Sequence, residues 1–272
     1  MSIIIKPPVG IQLNRNHPLA RGLVACWVMN EGSGSKIRSI VPRGANFVGS
    51  FDNDSGGSNP EWKAGPHGLG ITIPKAEGSW IRFPNVNIYE TATTEYTIAT
   101  KIHLYSYGEY ASGGFGRILN NRHSFGDWSV GLTTNDTACL CIFDNSGIKK
   151  VSPEGSISLN TDLSVAVNKN SFYVDGQDVG ISASPGTIGN VTDPVLRIGS
   201  APEAGLNYDG LIYYIYCYNR VLSVDEIAWL HREPYAMFED YINPAVFYIS
   251  AGGISMPIVM QQMNQFNGGQ PT

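Results

Sequence analysis

Apolar residues in this chain come in short runs cut by glycine, proline and asparagine. Leu23 to Met29 is one such run, closed by the turn cluster Asn30-Glu31-Gly32-Ser33-Gly34, and this pattern reads as a strand. Further strands are expected at Leu69–Ile73, Trp80–Phe83, Arg117–Leu119, Trp128–Leu132, Ala138–Phe143, Asp162–Asn168, Ser171–Val174 and Leu196–Gly199. The stretch Tyr96–Leu104 is longer and alternates, with Tyr96, Ile98, Thr100, Ile102 and Leu104 on one face. In Gly210–Tyr218, Tyr214, Tyr216 and Tyr218 share one face, while Tyr213 joins Ile215 and Cys217 on the other. Apolar or aromatic residues on both faces predict a central strand covered on both sides. Residues 50–70 hold many turn formers and few β-formers, so a long surface loop is expected there. Tyr105–Gly116 reads as a second, Gly/Tyr/Ser loop.

Helical spacing stands out once. Ser223-Val224-Asp225-Glu226 is a capping box with Ser223 as N-cap and Glu226 at N3. Ile227 and Leu230 give an apolar face, and Pro234 stops the helix after Glu233. Roughly a dozen short strands and one short helix predict an all-β, two-sheet antiparallel jelly-roll sandwich with extended terminal arms. The arms are residues 1–20, punctuated by Pro7, Pro8 and Pro18, and residues 235–272. The domain between them spans 21–234.

Composition sharpens this picture. Of 272 residues, 15% are charged, against about 25% in an average domain. Glycine (31) and tyrosine (14) are plentiful, which suits strands joined by turns. The net charge is −5, so no global basic footprint points to nucleic acid. Hydrophobic content of 42% is too high for disorder. Cys26, Cys139, Cys141 and Cys217 form no disulfide framework and no zinc spacing, and read as buried free thiols. The N-terminus lacks the apolar stretch of a signal peptide, and the most apolar segment, 244–260, is broken by glycine, serine and proline. Neither secretion nor membrane insertion is expected.

Binding chemistry is sought in aromatic platforms with polar rims. The Tyr/Gly loop offers Tyr105, Tyr107 and Tyr110, in the composition of recognition loops. Trp80 and Trp128 are further candidates, with Asn121, Arg122 and His123 as polar partners. Asp52-Asn53-Asp54-Ser55-Gly56-Gly57 opens like a calcium loop, with Asp52 and Asp54 as weak candidate ligands. Its twelfth position is Lys63 where a bidentate Glu belongs, so a polar turn is the plainer reading and no cofactor is expected. No Gly-x-Ser-x-Gly, HExxH or P-loop string occurs. The tail carries Phe247, Tyr248, Ile249, Ile258, Val259, Met260 and Phe266, apolar side chains that need a surface to cover.

Several stretches in order resemble a known family. They are His17-Pro18-Leu19-Ala20-Arg21-Gly22-Leu23-Val24, Trp128-Ser129-Val130-Gly131-Leu132, Tyr173-Val174-Asp175-Gly176, Arg197-Ile198-Gly199 and Tyr208-Asp209-Gly210-Leu211-Ile212. The most specific is Tyr218-Asn219-Arg220-Val221-Leu222-Ser223-Val224-Asp225-Glu226-Ile227. Across residues 17–238 the chain resembles laminin G-like jelly rolls of the concanavalin A-like lectin/glucanase superfamily, in the version found in tailed-phage and prophage structural proteins. The resemblance implies packed sheets with ligand loops on one rim. It also implies binding of glycans or proteins, and only sometimes hydrolysis. Relatives carry Asp-x-Ser-Gly-Asn-Gly where this chain has 38–44, which puts a calcium site there in doubt. The glucanase string Glu-x-Asp-x-x-Glu is absent.

The reading that follows is a non-enzymatic virion structural protein, in capsid decoration or tail-fibre association, made in the host cytoplasm. Its partners would be other virion proteins and its own copies as a homo-oligomer, and also a cell-surface glycan, but neither nucleic acid nor membrane. The alternative is a stand-alone carbohydrate-binding lectin-like module, with a glycoside hydrolase as the third choice.

Overall fold

A computed structural model describes residues 6–41, 47–53, 58–74, 79–84, 86, 88–89, 93–107, 115–122, 128–135, 138–143, 149–181, 195–199, 207–239, 247–251 and 254–258. Only the backbone is described for residues 53, 115, 121–122, 128–135, 143, 149–150 and the strands beyond 246. The chain divides into one compact unit over 1–238 and a second over 239–272.

The first unit is a two-sheet sandwich of antiparallel strands. Its first sheet contains β1 (Leu23–Trp27), β4 (Glu61–Gly65), β5 (Gly68–Ile73), β7 (Thr97–Leu104), β12 (Asp162–Asn168), β13 (Phe172–Val174), β14 (Gln177–Gly180) and β16 (Gly210–Tyr218). Spatially these run β14-β13-β12-β7-β16-β5-β4, with β1 also paired to β16. The second sheet contains β2 (Lys36–Arg38), β3 (Val48–Asn53), β6 (Ser79–Pro84), β8 (Phe115–Arg122), β9 (Trp128–Asn135), β10 (Leu140–Phe143), β11 (Lys149–Val151) and β15 (Val195–Ile198). Their order is β11-β10-β9-β8-β15-β6-β3-β2.

The alternation in β7 does what its pattern predicts. Tyr96, Ile98, Ile102 and Leu104 enter the core between the sheets, where they meet Ile81, Phe83, Leu119, Leu196 and Ile198. Every residue of β16 is buried. Its outer side lies in a second apolar cluster with Leu19 of the N-terminal segment, Ile227 and Leu230 of α1 (Val224–Arg232), and Met237 and Phe238. Each such buried aliphatic or aromatic side chain contributes roughly 1.5–3 kcal/mol. The capping box at Ser223 and Glu226 forms as expected. Residues 6–20 pack on the domain: Leu13 bridges to Phe238, and Asn14 N–H donates to the Met237 carbonyl at 2.9 Å. All four cysteines are buried and none is in a disulfide.

Two expectations fail, each for a local reason. Residues 50–70 are not one long loop, because they hold the end of β3, all of β4 and the start of β5. Glycine misled the reading there. A Cβ on Gly70 would lie 2.8 Å from the Ile212 carbonyl oxygen, so this glycine permits close strand approach rather than a turn. β4 itself is an edge strand exposed along most of its length, and so lacks alternation. The second failure is Tyr213. A bulge between Ile212 and Tyr214 shifts the register against β7. Tyr213 therefore leaves the face of Ile215 and Cys217 and joins Tyr214, Tyr216 and Tyr218 in the outer cluster.

In the second unit, β17 (Phe247–Ala251) pairs antiparallel with β18 (Ile254–Ile258), Phe247 opposite Ile258.

Candidate functional site

The bulge in β16 builds the most organised polar cluster among the described residues. It aims Tyr213 outward, where its hydroxyl donates to Asp162 Oδ1 at 3.0 Å. Asp162 opens β12 directly across from His103 on β7. His103 Nδ1 lies 3.0 Å from the same oxygen. An ionised carboxylate only accepts, so His103 donates through Nδ1–H, and in the neutral ring Nε2 is left as an acceptor. His67, in the turn between β4 and β5, places Nε2 3.7 Å from Asp162 Oδ2 and meets the Tyr213 ring edge-on at 5.4 Å. His67, His103 and Asp162 side chains are between 17 and 26% exposed, so solvent reaches the cluster.

An aromatic wall stands beside it. The Tyr105 ring contacts His103 edge-on at 5.2 Å. Lys63 Nζ donates to Tyr105 Oη at 2.8 Å. The next residue, Ser106, donates to Asp209 Oδ2 at 2.7 Å, and Tyr105 N–H donates to the Asp209 carbonyl at 3.0 Å. The ends of β7 and β16 come close because residue 210 is glycine. A Cβ there would collide with the His103 carbonyl oxygen.

Burial tunes the cluster. It lowers the His67 imidazole, reinforced by Lys101 and opposed by Asp162 and Asp175. It lowers the Lys101 ammonium against the pull of Asp175 and Asp162. Tyr213 is raised by burial and then by its bond to the Asp162 carboxylate. The patch therefore presents the Tyr213 phenol and two imidazoles, that of His67 biased toward its neutral form by burial, around one fixed carboxylate, beside a half-buried Tyr105. Such a surface offers hydroxyl-rich ligands both donors and acceptors without rearrangement.

The sequence candidates distribute unevenly. Tyr105 belongs to this patch. Tyr107 is half-buried and packs against the inter-sheet core, its hydroxyl 3.5 Å from the Ile157 carbonyl. Trp80 sits on the outer face of the second sheet but is only 5% exposed, with the Arg197 guanidinium 5.6 Å from its ring centre. It offers no open aromatic face. Arg122 and Trp128 are register partners across β8 and β9, as Asn121 and Val130 are; their side chains lie outside the described residues. Tyr110, His123, Asp54, Val259, Met260 and Phe266 lie outside them altogether, and for Phe247, Tyr248, Ile249 and Ile258 only the backbone is described. Asp52 lies in β3, 3.8 Å from Arg82. Among the described residues no group of three or more His, Cys, Asp or Glu is placed to hold a metal ion. No described helix is long and apolar enough to cross a membrane. Sequence reasoning missed His67, His103, Asp162 and Tyr213. The one available signal was the outward face of Tyr96–Leu104, where Lys101 and His103 interrupt a buried strand.

A family model described as the Concanavalin A-like lectin/glucanases superfamily matches residues 75–228, more than half of the chain. The chain belongs to this superfamily. Among curated proteins none matches it in sequence. Solved structures do. Domain 4 of AbnA, a GH43 extracellular arabinanase from Geobacillus stearothermophilus, solved with arabinotriose, is similar at 13% identity and a TM-score of 0.55. The match covers 77% of this chain and 98% of that domain. The binding domain of Paraclostridial Mosquitocidal Protein 1 gives 16% identity and a TM-score of 0.53, over 78% of this chain and 52% of that one. Trypanosoma rangeli sialidase gives 17% and 0.52, over 79% of this chain but 34% of its own. At these identities the likeness is one of fold, and this lectin/glucanase relative spans only about a third of the sialidase.

Proposed function

We propose that this lectin/glucanase-superfamily chain is a glycan-binding module that binds without turnover, through the Tyr105–His103–Asp162–Tyr213–His67 patch. One observation carries the reading: Asp162 is held at 3.0 Å by both Tyr213 and His103, so its orientation is fixed, and the same His103 touches the Tyr105 ring. A sugar would lay a C–H face on the side of that ring away from Lys63, whose ammonium lies 4.9 Å from the ring centre, and share its hydroxyls with Asp162, His103 and Lys63. Membership of the superfamily supports this, as does a similar domain seen with arabinotriose. Binding rather than hydrolysis is supported by the partners of Asp162, a phenol and imidazoles. Hydrolysis calls for a second carboxylate across the scissile bond. The Ser106 hydroxyl, next in sequence to Tyr105, donates to Asp209.

The test is titration of the full chain against a panel of neutral oligosaccharides by calorimetry, with product analysis alongside. Tyr105→Ala and Asp162→Asn are expected to weaken the bound glycan at least tenfold while the far-ultraviolet spectrum stays unchanged. Wild-type affinity in both variants, or released sugar, would overturn the reading.

The stand-alone lectin-like reading is preferred over the virion one, because none of the structural neighbours named above is a virion protein. Assembly through the tail keeps one supporting observation. Residues 239–272 form a unit with their own hairpin, and no charged residue occurs from Tyr241 to Thr272.

A further inference from the structure

The outer face of the second sheet carries a different chemistry. Strand register aligns Lys36 with Ser50, Ser50 with Arg82, Arg82 with Arg197, and Arg197 with Asn120. This row crosses β2, β3, β6, β15 and β8 at right angles to the strands. Ile37, Ile81, Phe83, Leu196 and Ile198, which flank Lys36, Arg82 and Arg197 along their strands, are core positions, so Lys36, Arg82 and Arg197 face outward, while Asn120 at the end of the row is fully buried. Lys36 and Ser50 are exposed, and the Arg82 side chain is 47% exposed. Arg38 lies on the same face, two residues from Lys36. Among the described residues, Asp52 is a carboxylate on this face, and it reaches Arg82 at 3.8 Å. Glu31, nearby, accepts from the Arg38 backbone N–H at 2.7 Å.

Guanidinium groups directly opposite across an antiparallel pair repel. A basic row on a chain of net charge −5 is a local device rather than a general surface property.

We propose that this row is a second binding site, independent of the Tyr105 patch, for a linear polysaccharide bearing carboxylates, that is, a uronic-acid chain. Arginine forks match planar carboxylates in a bidentate fashion. Adjacent strands lie about 4.8 Å apart, close to the advance of one sugar ring along an extended chain. Carboxylates spaced along such a chain meet the cations of β6 and β15 and, two strands from Arg82, that of β2, with the Ser50 hydroxyl between Lys36 and Arg82. Nucleic acid fits less well. Single strands need aromatic platforms for their bases, and the Trp80 ring is closed off by Arg197.

The experiment is calorimetric titration of the full chain with oligogalacturonate at low and high salt, compared with neutral arabinan, dextran sulfate and single-stranded DNA. Oligogalacturonate is expected to bind, and to bind more weakly as salt rises. Arg82→Gln and Lys36→Gln change exposed side chains, and should each weaken it at least threefold with an unchanged melting temperature. Arg82→Lys should fail to restore binding, while Tyr105→Ala should leave it intact. The proposal is lost if oligogalacturonate does not bind or if Arg82→Gln binds like the wild type. It is lost equally if DNA or dextran sulfate binds more tightly than oligogalacturonate and tolerates Arg82→Lys.

Discussion

His17, His67 and His231 are each held below the ordinary imidazole value, in every case first by burial. Glu233 opposes this at His17, and Asp175 opposes it at His67 and His231. The direction fixes a stability trend. As pH falls below about 6.5, the unfolded chain takes up protons on these rings that the folded chain resists. Stability is therefore complete above that value and lost as pH drops through the acid range. Melting temperatures of wild type and His67→Gln, measured between pH 7.5 and 5, should converge as pH falls. The variant is expected to lose fewer degrees over the interval. Parallel curves would show that His67 titrates as it does in the unfolded chain. Lys6 is the more extreme case. Its ammonium donates to the carbonyls of Met29 and Tyr213 at 2.9 and 2.7 Å, and to that of Leu69. Burial nevertheless lowers it to about 7, opposed by Glu31.

At the scale of elements, α1 is the joint that closes the outer side of the first sheet. Ser223 Oγ accepts from Glu226 N–H at 3.2 Å, while a Glu226 oxygen accepts from Ser223 N–H at 3.0 Å. The same carboxylate takes both Arg220 terminal nitrogens at 2.8 Å. Arg220 in turn donates to the backbone carbonyls of Arg21 and Pro18. Replacing Ser223 by Ala should cost about 1 kcal/mol, read as a shift in urea midpoint at constant slope. No shift would mean that packing of Ile227 and Leu230 alone holds the first turn. This helix was legible in the sequence because cap, N3 acid, apolar spacing and stop all lie within a dozen residues. The alternation of β7 was legible for the same local reason. The candidate site was not. Asp162 meets His103 only because β12 lies beside β7, and Tyr213 reaches them only because a bulge reverses its face. Pairing across the chain and a one-residue bulge leave no local pattern. Tyr105 was found by composition alone, and Trp80 was misjudged because no sequence feature shows that Arg197 covers it.

On the scale of the whole molecule, the two units invite separation. Met237 and Phe238 are buried in the first, so a chain ending after Glu239 keeps its apolar closure, whereas one ending at Pro234 would not. Removal of residues 240–272 should leave the melting temperature within about 2 °C of the full chain, since the sandwich core is untouched. Light scattering on both forms reads the role of the tail. If the tail assembles copies, only the full chain exceeds the monomer mass, and equal masses would remove the support for assembly. A two-stranded ribbon is marginal by itself, which is why an uncharged one at the end of a chain is worth this measurement.

The placement of β16 has a consequence for biosynthesis. It is the last strand of the sandwich to leave the ribosome, yet it lies between β7 and β5 and also pairs with β1, near the start of the chain. Until it emerges, β7 and β5 have nothing between them, and their open edges are hazards for a nascent polypeptide. Closure of the first sheet thus waits on a pairing of long sequence separation, and such events are slow. A cell making this protein in quantity would have to shield a half-built sheet for as long as translation takes to deliver its centre.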